Sequence, residues 1–123
     1  MKKLLPLLLL ILIGCSNPEP LNFHLLEERD GVYYREDTNE IHSGPVFTLY
    51  PDEKFHIIFE ESTLKDGKLH GSYKSYYENG QIQEEGTFKD DKKNGLWKSY
   101  HENGKVKLEE IYKDGELIES KEY

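Results

Sequence analysis

Five histidines, 24 acidic side chains and one cysteine are the groups in this 123-residue chain that could hold a metal, move a proton or form a covalent bond. A zinc site wants three or four ligands brought together, usually signalled by a closely spaced pair with a third ligand beyond it. His24, His42, His56, His70 and His101 are scattered, and no pair stands at i, i+2 or i, i+4 with a third ligand at hand. The spacing predicts no metal and no cofactor. The carboxylates could supply an acid–base pair, but their spread is that of a solvated surface. The glycines sit in turn contexts and not between a strand and a helix, so no phosphate-cradling loop is expected. A serine–histidine–aspartate triad has no support. This chemistry is that of a protein that is not an enzyme.

The cysteine differs because of what precedes it. Lys2 and Lys3 give a basic start, and Leu4 to Ile13 is an apolar run interrupted only by Pro6. Ten residues are too few for a membrane-spanning helix, which needs about 20. A basic region, a short apolar region and a small residue before a cleavage point read as a secretory signal. Leu12-Ile13-Gly14-Cys15 resembles the bacterial lipobox. The resemblance implies diacylglyceryl transfer to the Cys15 thiol, cleavage before it and acylation of the new N-terminus with a palmitate-type chain. Two or three acyl chains anchor stably where one is marginal. The expected home is the cell envelope: the outer membrane in a Gram-negative host, where Ser16 after the cysteine favours export, and otherwise the outer face of the cell membrane.

Removing 14 of 123 residues leaves 109, and the loss of two lysines takes the net charge from −8 to −10. Nucleic-acid binding rests on Lys and Arg neutralising phosphates, so this balance excludes it as a partner class. It also predicts a domain that is repelled by anionic headgroups while its acyl chains hold it at the membrane. Cys15 is the only cysteine, so no intrachain disulfide exists. Ser16 to Asn22, with two prolines, reads as an extended spacer.

What positions the remaining residues is a repeat. "LKDGKLHGSYKSYYENGQIQEEGT" at 64–87 aligns with "FKDDKKNGLWKSYHENGKVKLEEI" at 88–111, and "YKDG" at 112–115 starts the pattern once more. "SGPVFTLYPDEK" at 43–54 has the same shape. A fixed period of 20–50 residues signals stacked repeats. Asn79-Gly80 and Asn103-Gly104 are hairpin signals, since a type I′ turn needs φ > 0 at both central positions. Two strands, a tight turn and a return loop account for 24 residues. Recurring glycines and the lack of an i, i+3, i+4 apolar stripe argue against helix.

"KDGKLHGSYKSYYENG" and "KDDKKNGLWKSYHENG" resemble MORN repeats of the variant type found in bacterial proteins, a layout similar to the YwqK-type toxin–antitoxin system antitoxins. The resemblance implies an all-β fold: a single-layer twisted antiparallel sheet of stacked β-hairpins, acting as a binding platform or spacer. The expected division is a signal at 1–14, the lipidated cysteine and tether at 15–22, N-terminal hairpins with a degenerate repeat at 23–63, MORN-type repeats at 64–118 and a tail at 119–123. Tyr73, Tyr76, Tyr77, Trp97 and Tyr100 recur at repeat spacing and are first of all packing residues. Tyr and Trp are also enriched at interface hot spots, and Tyr76, Trp97 and Tyr100 are the expected contacts to a protein partner. The expected function is a lipid-anchored, non-catalytic protein binder. The alternatives are an antitoxin or immunity protein that neutralises one toxin, and a structural spacer without a specific ligand.

Overall fold

Turn chemistry lays out the strands. Asp30-Gly31, Asp66-Gly67, Asp90-Asp91 and Asp114-Gly115 have positive φ at both positions, the geometry of a type I′ turn. Each joins two strands with nothing between them but the two turn residues: β2 (Leu26–Arg29) to β3 (Val32–Arg35), β5 (Ile58–Lys65) to β6 (Lys68–Leu69), β8 (Ile82–Lys89) to β9 (Lys92–Lys93) and β11 (Val106–Lys113) to β12 (Glu116–Glu122). The structure, a computed structural model, describes residues 18–51 and 57–123. Leu12, Ile13, Gly14 and Cys15 lie outside the described residues, and so does His56.

Asn79-Gly80 and Asn103-Gly104 do close hairpins, but not as type I′ turns. Among their residues only the glycines have positive φ, 85° in each case. The Gly80 N–H donates to the Tyr77 carbonyl (2.9 Å) and the Tyr77 N–H to the Gln81 carbonyl (2.8 Å); His101, Gly104 and Lys105 repeat the pattern. This is a three-residue loop, a type I turn followed by a left-handed glycine. Asn79 and Asn103 each accept, through Oδ1, the N–H two residues ahead. A short polar side chain that bonds its own backbone favours such a turn. The hairpins therefore stand where Asn-Gly predicts them, while the type I′ geometry belongs to the aspartate turns.

The remaining strands are β1 (Leu21–Asn22), β4 (Gly44–Leu49), β7 (Gly71–Tyr76) and β10 (Gly95–Tyr100). One ten-stranded sheet runs in the order β1-β4-β5-β7-β8-β10-β11-β12, with β6 on β5 and β9 on β8. All of its pairings are antiparallel except β1 on β4. Each repeat kinks at a glycine. β5 pairs with β6 through Leu64 and Leu69, then with β7 through Glu61 and Lys74, two positions out of step. The slack is taken up at His70-Gly71, with Gly71 at φ 105°. Gly95 (φ 81°) does the same between β9 and β10, and Gly44 (φ 134°) opens β4 in the degenerate first repeat.

Two features add to the expected single layer. The hairpin β2–β3 forms its own two-stranded sheet, and Leu26 from it is buried with Val46 and Leu64, flanked by Phe23, Tyr33 and Leu69. The first repeats thus carry a cap on one face. The expected tether is also partly structured, since Leu21 and Asn22 pair with Val46 and Phe47. At the other end the tail expected at 119–123 is strand: β12 continues through Glu122 as the outermost strand, every residue exposed. Its Glu and Lys side chains oppose edge-to-edge pairing.

Successive repeats are tied by the same bonds. The N–H of the second turn residue donates to the repeat before it: Gly67 to the His42 carbonyl, Asp91 to that of Leu69, Gly115 to that of Lys93, all at 2.8–2.9 Å. Tyr50 donates its hydroxyl to the Tyr76 carbonyl at 2.6 Å, and Tyr77 donates to that of Tyr100 at 2.7 Å. His101 occupies the equivalent place in the next repeat. The packing role expected of the repeat aromatics takes, at Tyr77, the form of an inter-repeat peg. Tyr77→Phe leaves a part-buried carbonyl unpaired and should cost about 1–2 kcal/mol, read as a lower urea midpoint at unchanged slope.

Candidate protein-binding face

Side chains alternate across a strand, so residues paired in register share a face. On one face a single row crosses the sheet: Phe47 opposite Glu61, Glu61 opposite Lys74, Lys74 opposite Glu85, Glu85 opposite Lys98, Lys98 opposite Glu109, and Glu109 opposite Lys121. Charge alternates from strand to strand, and Lys98 Nζ lies 3.6 Å from Glu109 Oε1. Opposite charges directly across a ladder contribute about 0.2–1 kcal/mol each, so this row sets register more than stability.

Tyr76 and Tyr100 stand on the same face, one repeat apart. The Tyr76 hydroxyl donates to Glu61 Oε2 at 2.8 Å, and that of Tyr100 donates to Glu85. Each phenol is thus held by a carboxylate of the charge row. Burial and the Glu61 bond push the Tyr76 phenol up to about 12, and the Glu85 bond followed by burial does the same for Tyr100. On the other face Tyr73 is pushed up to about 12 by burial and by Glu60. A phenol whose pKa is higher in the folded than in the unfolded state stabilises fully below the unfolded value and loses that contribution as pH rises through the folded one. Stability should therefore fall between about pH 10 and about pH 12, and Tyr76→Phe with Tyr100→Phe should flatten the decline in urea titrations.

Trp97 does not join these tyrosines. It projects from the opposite face of β10, is 1% exposed and packs between Tyr73 and Phe88, with ring centroids 5.3 and 5.0 Å away. Its indole N–H donates to the Thr87 carbonyl at 3.1 Å. Lys93 covers it, Nζ 4.1 Å from the ring centroid and 3.0 Å from Glu84 Oε1. The expectation that Trp97 touches a partner is corrected by this burial: one position of alternation separates Trp97 from the face that Lys98 and Tyr100 occupy. The reason for its size is visible along the repeats. Where the β2–β3 cap ends, Val46 and Leu64 give way to Tyr73, Phe88 and Trp97, which cover one another.

The open face also carries residues that no motif singled out. Leu96 and Ile111 are cross-strand partners, 47% and 40% exposed. Their counterparts one repeat earlier are Ser72 and Thr87, also paired. The repeat alignment held this signal, two polar surface positions turned apolar together, but only pairing shows that they touch. Toward the first repeat, Pro20, Pro45, Phe47, Ile58 and Thr63 line a cleft of about 520 Å³ that reaches Lys74.

The four described histidines join no cluster of three or more possible ligands. His42 is 7% exposed with Nε2 unpaired, and burial pulls its pKa below the ordinary value. His70 Nδ1 faces Asp90 Oδ1 at 3.4 Å, and His24 and His101 are exposed. Among the described residues no group of three or more His, Cys, Asp or Glu is placed to hold a metal ion, and no helix is long and apolar enough to cross a membrane.

A protein-family model for the MORN repeat variant matches residues 69–90 and 93–114. Over these two segments the chain is similar to the MORN repeat variant. Each matched segment begins at the short strand after an aspartate turn, passes the glycine kink and the Asn-Gly hairpin, and ends at or beside the next aspartate turn. Outside the matched residues, the strands Gly44–Leu49 and Ile58–Lys65 pair in the same antiparallel way. No curated protein and no solved structure matches the chain significantly. MORN repeats are often protein- or membrane-binding modules.

Proposed function

We propose that this chain is a non-catalytic, lipid-anchored MORN-repeat protein of the cell envelope that binds a protein partner through the face bearing Tyr76 and Tyr100. The observation that supports it is the asymmetry of the sheet. One face is covered by the β2–β3 cap and then by its own aromatic cluster. Among the described residues no such layer lies over the other, which presents two phenols fixed by carboxylates, an ordered charge row and the exposed Leu96–Ile111 pair. Rigid aromatics ringed by polar groups are what interface hot spots are made of. The lipobox at Leu12–Cys15 supports the anchor.

Cross-linking in intact cells, then capture of the full-length protein and mass spectrometry, tests this. One dominant partner at near-equal amount is expected, and Tyr76→Ala with Tyr100→Ala should remove it while the β-sheet circular dichroism persists. Recovery of no enriched protein would overturn the binding reading. A toxin as the captured partner would make the protein an immunity factor. Cys15→Ala should abolish palmitate labelling, and persistent labelling would sink the anchor.

A further inference from the structure

The path of the chain into the sheet bears on which edge faces the lipid. Pro18 lies against Gly44, so closely that a Cβ there would stand 3.2 Å from Pro18 Cγ. From Pro18 the chain runs parallel to β4, reaching Leu21 beside Val46 and then Asn22 beside Phe47. Gly44 pairs with Leu64, two residues before the Asp66-Gly67 turn. The chain therefore enters at the edge formed by the aspartate turns and moves toward the edge formed by the Asn-Gly turns.

Cys15 stands three residues before Pro18, and three residues reach at most about 11 Å. The long strands have eight residues, about 26 Å end to end. An acyl group on Cys15 thus stays close to the aspartate-turn edge and cannot be brought to the other. Charge agrees with reach. In the repeats, exposed Lys65, Lys89 and Lys113 precede the aspartate turns and Lys68 and Lys92 follow two of them, which offsets the turn carboxylates. Lysine stems extend toward headgroups while keeping the ammonium wet, so this edge carries little of the repulsion expected from the net charge of the whole domain. At the Asn-Gly edge Glu78 and Glu102 are exposed beside a single exposed lysine, Lys105.

From this we propose that the anchored protein stands on its aspartate-turn edge, with these lysines at the headgroup level, the strands running outward and the Asn79-Gly80 and Asn103-Gly104 loops outermost. Both sheet faces then rise from the membrane, and the tyrosine face is free along its whole width. The proposal rests on the lipid-anchor reading of Cys15.

The test uses full-length acylated protein in vesicles of phosphatidylethanolamine and phosphatidylglycerol that carry a bilayer-restricted nitroxide quencher. Because the native cysteine is acylated, an introduced thiol takes up a fluorophore alone. Lys65→Cys and Lys113→Cys mark the aspartate-turn edge; Glu78→Cys and Glu102→Cys mark the other. Quenching several-fold stronger at both Lys65 and Lys113 than at either glutamate position is expected. Quenching at Lys65 only would show a domain pivoting on one corner, and equal quenching at all four would show no fixed orientation; either overturns the proposal. Intact mass separates the failures. Protein without acyl mass at Cys15 overturns the anchor and this orientation together, whereas acylated protein with the wrong quenching pattern overturns the orientation alone.

Discussion

Trp97→Ala is expected to lower the unfolding free energy by about 3–5 kcal/mol, the range for truncating a large aromatic in a core. Trp97 is the centre of the capless half of the covered face, with Tyr73, Phe88 and the Lys93 ammonium all against its ring. Truncation opens a cavity that a β-sheet cannot close, because the backbone on either side is held by ladders to β8 and β11. It also removes the Thr87 carbonyl's indole partner and one of the contacts that hold Lys93 over the face. Single domains are stable by about 5–15 kcal/mol in all, so the variant should be partly unfolded at 37 °C. Since Trp97 is the only tryptophan, the check is far-UV circular dichroism against urea. A loss under about 1 kcal/mol would mean that the cluster does not act as a core. Gly86 makes the companion case: the indole lies directly over it, and a Cβ at 86 would collide with the ring. Gly86→Ala should cost about 1–3 kcal/mol by overpacking.

Gly67→Ala should cost about 3 kcal/mol, the sum of a left-handed backbone penalty and a steric one. Gly67 has φ +74°, and a Cβ on it would stand 2.9 Å from both the backbone N and O of Tyr33. The Tyr33 N–H donates to the Gly67 carbonyl at 2.9 Å, so the turn of the second repeat is the seat of the β2–β3 cap. The same turn position one repeat later is Asp91 (φ 67°), whose carboxylate accepts the Leu69 N–H. Asp91→Ala, free of the cap, should cost less than Gly67→Ala. Hydrogen exchange is the discriminating measurement: Gly67→Ala should speed exchange first in Leu26–Arg35. Uniform acceleration across the sheet would show that the cap has no separate stability.

How much of this was legible beforehand depends on whether the needed information is local. The 24-residue period, the hairpins and the all-β class lie in residues a few positions apart, where Gly, Asn and Asp act on their own backbone. Even there the type of turn differs from the type I′ expectation, because Asn-Gly suits both a two-residue and a three-residue loop and the flanking ladder decides between them. Periodicity singles out Tyr76 and Tyr100, and they share a face because they are equivalent residues of consecutive repeats. The same periodicity singles out Trp97, yet it lies on the other face, three positions before Tyr100. The Leu96–Ile111 pair was missed because its two members lie 15 residues apart.

By itself, the sequence determined what repeats and local chemistry can encode: the all-β class, and two strands with a tight turn and a glycine-bearing return loop in every 24 residues. Only the tertiary structure decided which aromatics are buried, that residues 21–35 supply a strand and a cap, and that Glu61, Lys74, Glu85, Lys98 and Glu109 form one row. The physical reason is register. A one-residue slip turns every side chain to the other face, and register here is set by pairings between repeats and by the docking of the N-terminal hairpin on Gly67, contacts between residues far apart in the chain.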